Sequence, residues 1–286
     1  FLFRYVYDGL LPTLSLSYGD SIDYYRGHGG SSLRNQELKL ASLWPLRVRK
    51  RSQLYAYADL HAERLSEIDG HGRYIFPGST NGFRLGLDFN SAREYYDSLS
   101  PSDGVRITLQ GSIHPVEIGN QWASRDIQLD LREYIPLFRP GVVALRLALA
   151  RSWDAGGSHY FMGGRETGGG LGDDQPFELQ RGISAGSQIG DRGWLFNLEC
   201  RMPLFKVEKA IVPSFSLDRL WLNVFFDAGR LANRKYVFPT TYSVGGEAML
   251  RLAFGGAAAT DLALGIAHGF GDAVDLWIYL RMGRSF

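Results

Sequence analysis

The chain has a single cysteine, Cys200, so no disulfide can form within it. On an apolar strand face a lone thiol reads as a small hydrophobe. No apolar run reaches the length of about 18 residues that a transmembrane helix needs, which excludes that way of crossing a bilayer. Net charge is almost absent: 31 Lys and Arg against 30 Asp and Glu leave +1, and nothing in that balance draws a nucleic acid. Metal-ligand spacing is missing around His28, in a Gly-rich loop, and His71, in a turn. There is no Gly-x-Ser-x-Gly elbow for a nucleophilic serine. The sequence starts Phe1-Leu2-Phe3-Arg4 without a basic segment and a cleavage site, so an exported protein would have been trimmed or would begin further upstream.

What is plentiful is glycine and aromatic side chains: 35 Gly, 17 Phe, 15 Tyr and 6 Trp in 286 residues. Mean hydropathy is slightly negative. A transmembrane β-barrel has this profile, because it spreads its apolar residues over every second position and uses glycines in turns and aromatics at the interfaces. A soluble all-β protein shares the composition, so the pattern along the chain has to decide.

Residues 1–11 are apolar and irregular and read as a lead-in segment or linker. From residue 12 to 286 the chain reads as one barrel. Strands are predicted by period-two alternation around residues 13–18, 37–48, 53–65, 83–89, 105–110, 126–132, 143–149, 194–202, 222–227, 244–252, 262–267 and 274–282. That makes about twelve strands and no convincing helix. The basic stretch 47–51 reads as a solvated hairpin tip, and 101–104 as a turn. Residues 153–191 form a long loop, with eight glycines between 156 and 176. Its Gly168-Gly169-Gly170 is no phosphate loop, since neither a lysine nor a helix follows.

Almost every strand has one greasy face and one charged or small face. Leu54, Ala56, Ala58 and Leu60 oppose Tyr55, Tyr57, Asp59 and His61; Phe196, Leu198 and Cys200 oppose Asn197, Glu199 and Arg201. Asp130, Arg132, Arg146, Glu199, Asp227 and Arg251 all sit mid-strand on the polar face. In a dry interior such charges would be costly, whereas across a wet lumen they can pair. The strands also run longer than the soluble mode of about 5–6 residues. The expected fold is therefore all-β, an antiparallel transmembrane β-barrel with a long loop inserted into its lumen.

Residues 177–229 hold the centre of the pattern. An Arg181-Gly182 turn precedes a strand carrying Glu199 and another carrying Asp227. A guanidinium can bridge two carboxylates by planar, charge-assisted hydrogen bonds, and Gly182 lets the tip turn without a Cβ. The alternative is an exposed loop arginine, with the carboxylates paired to Arg201 and Arg251.

Arg181-Gly182-Ile183, followed by Asn197-Leu198-Glu199-Cys200-Arg201-Met202-Pro203-Leu204, resembles the Arg-Gly-aromatic loop and next strand of the bacterial surface-antigen superfamily. That superfamily includes the outer-membrane assembly factor and the two-partner secretion transporters. Phe225 and Gly229, in Val224-Phe225-Phe226-Asp227-Ala228-Gly229, resemble its Phe-x-Asp-x-Gly strand signature. Phe161-Met162-Gly163-Gly164 resembles the segment before the loop, and 101–104 its Pro-x-x-Gly hairpin. Phe286, with Met282 and Leu280 at alternate positions before it, resembles the C-terminal sorting signal of outer-membrane barrels; Arg284 interrupts that parity.

The resemblance implies that Arg181 is the tip of a lumen loop anchored by Asp227 and Glu199. It implies a bacterial outer-membrane location and polypeptide insertion, export or anchoring of an attached soluble domain, without catalysis or cofactor. The implied partners are the lipid bilayer, the outer-membrane assembly machinery through the last strand, and unfolded polypeptide clients. Ile183 departs from the family's aromatic. The strand count falls short of the family's barrels of about sixteen strands, which leaves either strands upstream or a smaller relative. Residues 7–12 faintly resemble the junction between TolB-like propellers and such barrels. A passive porin-like channel for small solutes is the alternative function. A membrane-embedded lipid hydrolase is disfavoured, because His268 and Ser243 have opposite parity and His61 has no serine partner.

Overall fold

The computed structural model describes residues 2–7, 12–25, 31–69, 78–95, 98, 100–120, 123–138, 140–153, 160–163, 176–177, 179–184, 186–212, 215–254, 258–271 and 276–282. The strands are β1 (Leu2–Tyr7), β2 (Thr13–Tyr25), β3 (Ser31–Arg49), β4 (Ser52–Asp69), β5 (Gly78–Asn90), β6 (Gly104–His114), β7 (Ser124–Phe138) and β8 (Gly141–Trp153). They continue with β9 (Tyr160–Met162), β10 (Gln188–Gly190), β11 (Arg192–Val212), β12 (Phe215–Ala232), β13 (Thr241–Phe254), β14 (Ala258–Phe270) and β15 (Leu276–Met282). One 3₁₀ turn, Val116–Ile118, is the only helical element among the described residues.

Thirteen of these strands form one sheet in chain order, with β9 and β10 pairing apart from it between β8 and β11. Every neighbouring pair is antiparallel. The twelve alternating segments each fall on a strand of this sheet, with residues 274–275 of the last lying outside the described residues. The thirteenth is β1, so residues 2–7 are not the lead-in predicted for 1–11 but a strand in register with β2, Leu2 opposite Gly19 and Tyr7 opposite Leu14. Polarity does not alternate there: Leu2 and Val6 lie on one parity, Phe3, Tyr5 and Tyr7 on the other, so no period-two signal exists to read. The strands are also longer than predicted, reaching 21 residues in β11.

The sheet is apolar outside and polar inside. Leu264 and Ile278 are 57 % and 71 % exposed, while Asp227 and Arg201 are fully buried and Glu199, Glu247 and Asp261 nearly so. A water-soluble fold reverses this assignment. With the apolar face turned to hydrocarbon and the charges paired inside, the pattern is that of a transmembrane barrel. The sheet curls far enough for residues at its middle to meet strands near its end: Arg251 of β13 donates to the Ser98 carbonyl between β5 and β6 at 2.7 Å.

The two ends of the sheet differ. Connections 50–51, 139–140, 213–214 and 255–257 at one end are two or three residues long. Those at the other end, such as 70–77, 115–123, 154–191 and 233–240, are longer. Since strands alternate in direction, the 91–103 connection after the fifth strand and the 154–191 connection after the eighth enter from opposite ends. The segment 91–103 is longer than the 101–104 turn read from sequence. It tucks inward, with Ser98, Ser100 and Ser102 buried and Ser91 and Val105 bonded at its neck. By the same alternation β1 and β15 run in the same direction. Among the described residues they do not pair with each other.

Candidate functional site

Register brings the site together. Asn197 of β11 faces Asp227 of β12, which faces Ser243 of β13, which faces Gly269 of β14. The next inward row is Glu199, Phe225, Gly245 and Ala267; the one after is Arg201, Asn223, Glu247, Gly265 and Tyr279. Around the loop tip, Asn197, Glu199 and Asp227 of β11 and β12 thus face Ser243 and Gly245 of β13 and Gly269 and Ala267 of β14, with Glu247 one row further along β13. The loop tip lies in that hollow.

Arg181 fills it. Its Nε and Nη2 donate to Asp227 Oδ2 at 2.9 Å and Oδ1 at 2.8 Å, a two-pronged bond, and its backbone N–H donates to Oδ2 at 3.1 Å. Nη1 donates to Glu199 Oε1 at 2.7 Å and lies 3.8 Å from Glu247 Oε2. The guanidinium carbon stands 3.6 Å from the centroid of the Phe225 ring. Burial works against the charge on Arg181, but Asp227, Glu199 and Glu247 more than offset it and raise its pKa well above the usual arginine range. A lysine would bring the charge without the fork or the flat face.

The neighbours of Arg181 are held as well. Asn197 Nδ2 donates to Asp227 Oδ1 at 2.8 Å and to the Leu179 carbonyl at 3.0 Å. Gln180 donates to the Thr241 carbonyl at 3.0 Å, and the Thr241 hydroxyl returns a bond at 3.1 Å. Gly182 has a φ of +71°, a conformation glycine adopts without a Cβ penalty. A Cβ on Gly269 would overlap the Gly182 carbonyl, so the wall is cut away where the tip rests. Ile183 is buried against the same spot. The aromatic contact to the arginine, which Ile183 does not make, comes from the wall through Phe225.

At the base of the loop, β9 and β10 pair, Phe161 opposite Ile189. Met162 packs where Gly229 leaves room: a Cβ there would lie 2.8 Å from its terminal methyl. Tyr160, Met162 and Phe177 bury against Ala148, Ala150, Leu195 and Leu231 of the wall.

Glu199 has a second partner. Arg201 donates through Nε to Glu199 Oε2 at 2.8 Å and through Nη1 to the hydroxyl of Ser100. Arg251 pairs with Asp261 at 3.0 Å. So Glu199 does pair with Arg201, as the alternative reading supposed, and it also holds Arg181.

Sequence reasoning passed over Glu247, which takes Asn223 at 2.8 Å and the Tyr279 hydroxyl at 2.8 Å in addition to Arg181. Its charge on the polar parity of β13 was the available signal. It also missed His114, whose ring meets His61 across Gly82. Of the C-terminal residues, Leu280 is exposed on the apolar face and Met282 pairs with Leu262 through the backbone. Phe286 and Arg284 lie outside the described residues, as do His28, His71 and Gly168 to Gly170. Ser243 is buried, and in register His268 faces Val244 rather than Ser243.

No family model and no curated protein sequence matches the chain. Solved structures do. The chain is similar to BamA from Haemophilus ducreyi lacking POTRA domains 1–3, with a TM-score of 0.61 at 13 % identity, over 98 % of this chain and 60 % of that one. It is likewise similar to CdiB from Escherichia coli, with a TM-score of 0.63 at 13 % identity, over 96 % of this chain and 51 % of that one. The fold is that of these barrels, and the chain spans little more than half the length of either.

Proposed function

We propose that this chain is the membrane barrel of a bacterial outer-membrane protein that assembles or translocates polypeptide, acting by non-covalent contacts alone. The observation that carries the reading is the Arg181 clamp: an inward loop whose guanidinium is held by Asp227, Glu199 and Glu247 inside a sheet with an apolar exterior. The shared fold with BamA and CdiB, and the ordered motifs that resemble the surface-antigen superfamily, support it.

In this reading the end of the sheet with two- and three-residue connections faces the periplasm and the long-loop end faces outward, as is usual for such barrels. The Arg181 loop then enters from outside and residues 91–103 from the periplasm. Together they fill the lumen rather than leave a wide pore. The edges of β1 and β15, which do not pair with each other among the described residues, offer backbone groups to an extended client strand, which adds by β-augmentation. Because the two edge strands run in the same direction, an odd number of further strands closes the sheet in antiparallel fashion. A single client strand paired at one edge leaves the other edge to close on it.

Reconstitution into liposomes tests this. The chain should speed the folding of an added, urea-unfolded outer-membrane barrel severalfold over protein-free liposomes, and should cause little swelling in small sugars. Rapid swelling with no effect on the client would replace this reading with a porin-like channel.

A further inference from the structure

We propose that His61 and His114 hold one proton between them, and that uptake of a second proton parts the two rings and loosens the wall's grip on the inward loop. Their Nε2 atoms are 3.1 Å apart, and both residues are more than nine-tenths buried on the polar face. They come from β4 and β6 and meet over β5 only because Gly82 lies between them; a Cβ there would lie 2.9 Å from the His61 ring and closer still to His114.

The outer nitrogens are already committed. His61 Nδ1 faces Asp59 Oδ1 at 3.2 Å. His114 Nδ1 faces the Ser124 hydroxyl at 2.9 Å and Asp126 Oδ2 at 3.4 Å. If both Nδ1 atoms carry hydrogen toward these carboxylates, a neutral pair would set two Nε2 lone pairs against each other. One added proton turns that into an N–H···N bond. The same bond forms in a neutral pair if Ser124 donates to His114. Two added protons place N–H against N–H, and the rings cannot stay at this distance.

The chain of contacts ends on the loop. Asp126 Oδ1 accepts from the Tyr160 hydroxyl at 3.4 Å, and Tyr160 belongs to β9, the base of the Arg181 loop. Asp126 Oδ2 also accepts from Ser112 at 3.3 Å. A doubly charged pair draws His114 onto Asp126 and away from His61, at the point where the wall holds Tyr160. The other ionisable groups around the pair are Lys39 of β3, 3.7 Å from Asp59, with Glu37 one row further; Glu63 on β4; and Arg84 of β5, opposite Asp59 in register.

This inference rests on the reading that the inward loop narrows the lumen. Planar-bilayer recordings on the refolded chain between about pH 8 and pH 5, spanning the ordinary histidine range, test it. Opening frequency should rise severalfold on acidification in the wild type and stay flat in His61→Gln and His114→Gln. Gly82→Ala forces the rings apart while keeping both, so it should open at neutral pH as the wild type does in acid. A flat wild-type profile, or the same profile in the glutamine variants, overturns the proposal. Arg181→Ala separates the two readings: if it opens the pore while acid does not, only the histidine latch fails. Histidine ¹⁵N spectra report the pair independently of the loop. A coupling between the two Nε2 nuclei across the N–H···N bond is expected at neutral pH; its absence would overturn the shared proton.

Discussion

Arg181 and Arg201 divide Glu199 between them, one carboxylate oxygen each, at 2.7 Å and 2.8 Å. Arg181 belongs to a segment that enters from one end of the sheet, and Arg201 carries the hydroxyl of Ser100, from a segment that enters at the other. A single side chain therefore joins both inward segments to the same strand. Asp227 bonds the Arg181 loop directly, through both carboxylate oxygens.

Substitution at these two acids should separate the segments. Glu199→Gln leaves one oxygen and puts an amide donor against a guanidinium. Breaking a buried pair of this kind costs about 3–5 kcal/mol. Urea unfolding in lipid vesicles should show a loss of that order, and limited proteolysis should reach both 91–103 and the Arg181 loop. Asp227→Asn should expose the Arg181 loop while leaving 91–103 protected.

The fit of the loop tip can be probed without touching a charge. Gly269→Ala places a methyl where the Gly182 carbonyl rests. Alanine is tolerated in a strand, so the sheet should fold while the tip lifts. Tryptic cleavage after Arg181 should become faster than in the parent. Gly182→Ala should act in the same direction, since a left-handed conformation costs an L-residue about 1–2 kcal/mol.

The exterior is tested by charge. Leu85 and Leu264 point away from the lumen and are 52 % and 57 % exposed. If that face meets hydrocarbon, Leu264→Arg or Leu85→Arg should cost about 2–4 kcal/mol near mid-membrane, read as lost folding yield into vesicles. On a water-facing surface the same change would stay within about 0.5 kcal/mol.

Alternation made most of the fold legible, because a strand with lipid on one side and water on the other must change polarity at every residue. Phe83, Leu85, Leu87 and Phe89 against Arg84, Gly86 and Asp88 suffice to define β5. The same parity put Asn197, Glu199 and Asp227 on one face, and the structure places their side chains together around Arg181. What parity cannot carry is register. Glu247 and Tyr279 meet only because β13 and β15 are each staggered by a particular amount, and His61 meets His114 across 53 positions of sequence. The inward turn of 91–103 was hidden for another reason. Among its described residues the buried ones are serines, which satisfy arginines from inside the lumen yet look like ordinary loop residues in a sequence. Glycines gave a further hidden signal. Gly86, Gly245 and Gly265 are where Tyr57, Phe225 and Tyr279 lie flat against the wall, a fit that shows only once the strands are paired.

If the Arg181 clamp keeps the lumen closed, its removal must show as current. Planar-bilayer conductance of the refolded chain, intact and with Arg181→Ala, should give small, flickering openings in the intact chain and larger, longer ones in the variant. A steady open pore, identical in both, would contradict it.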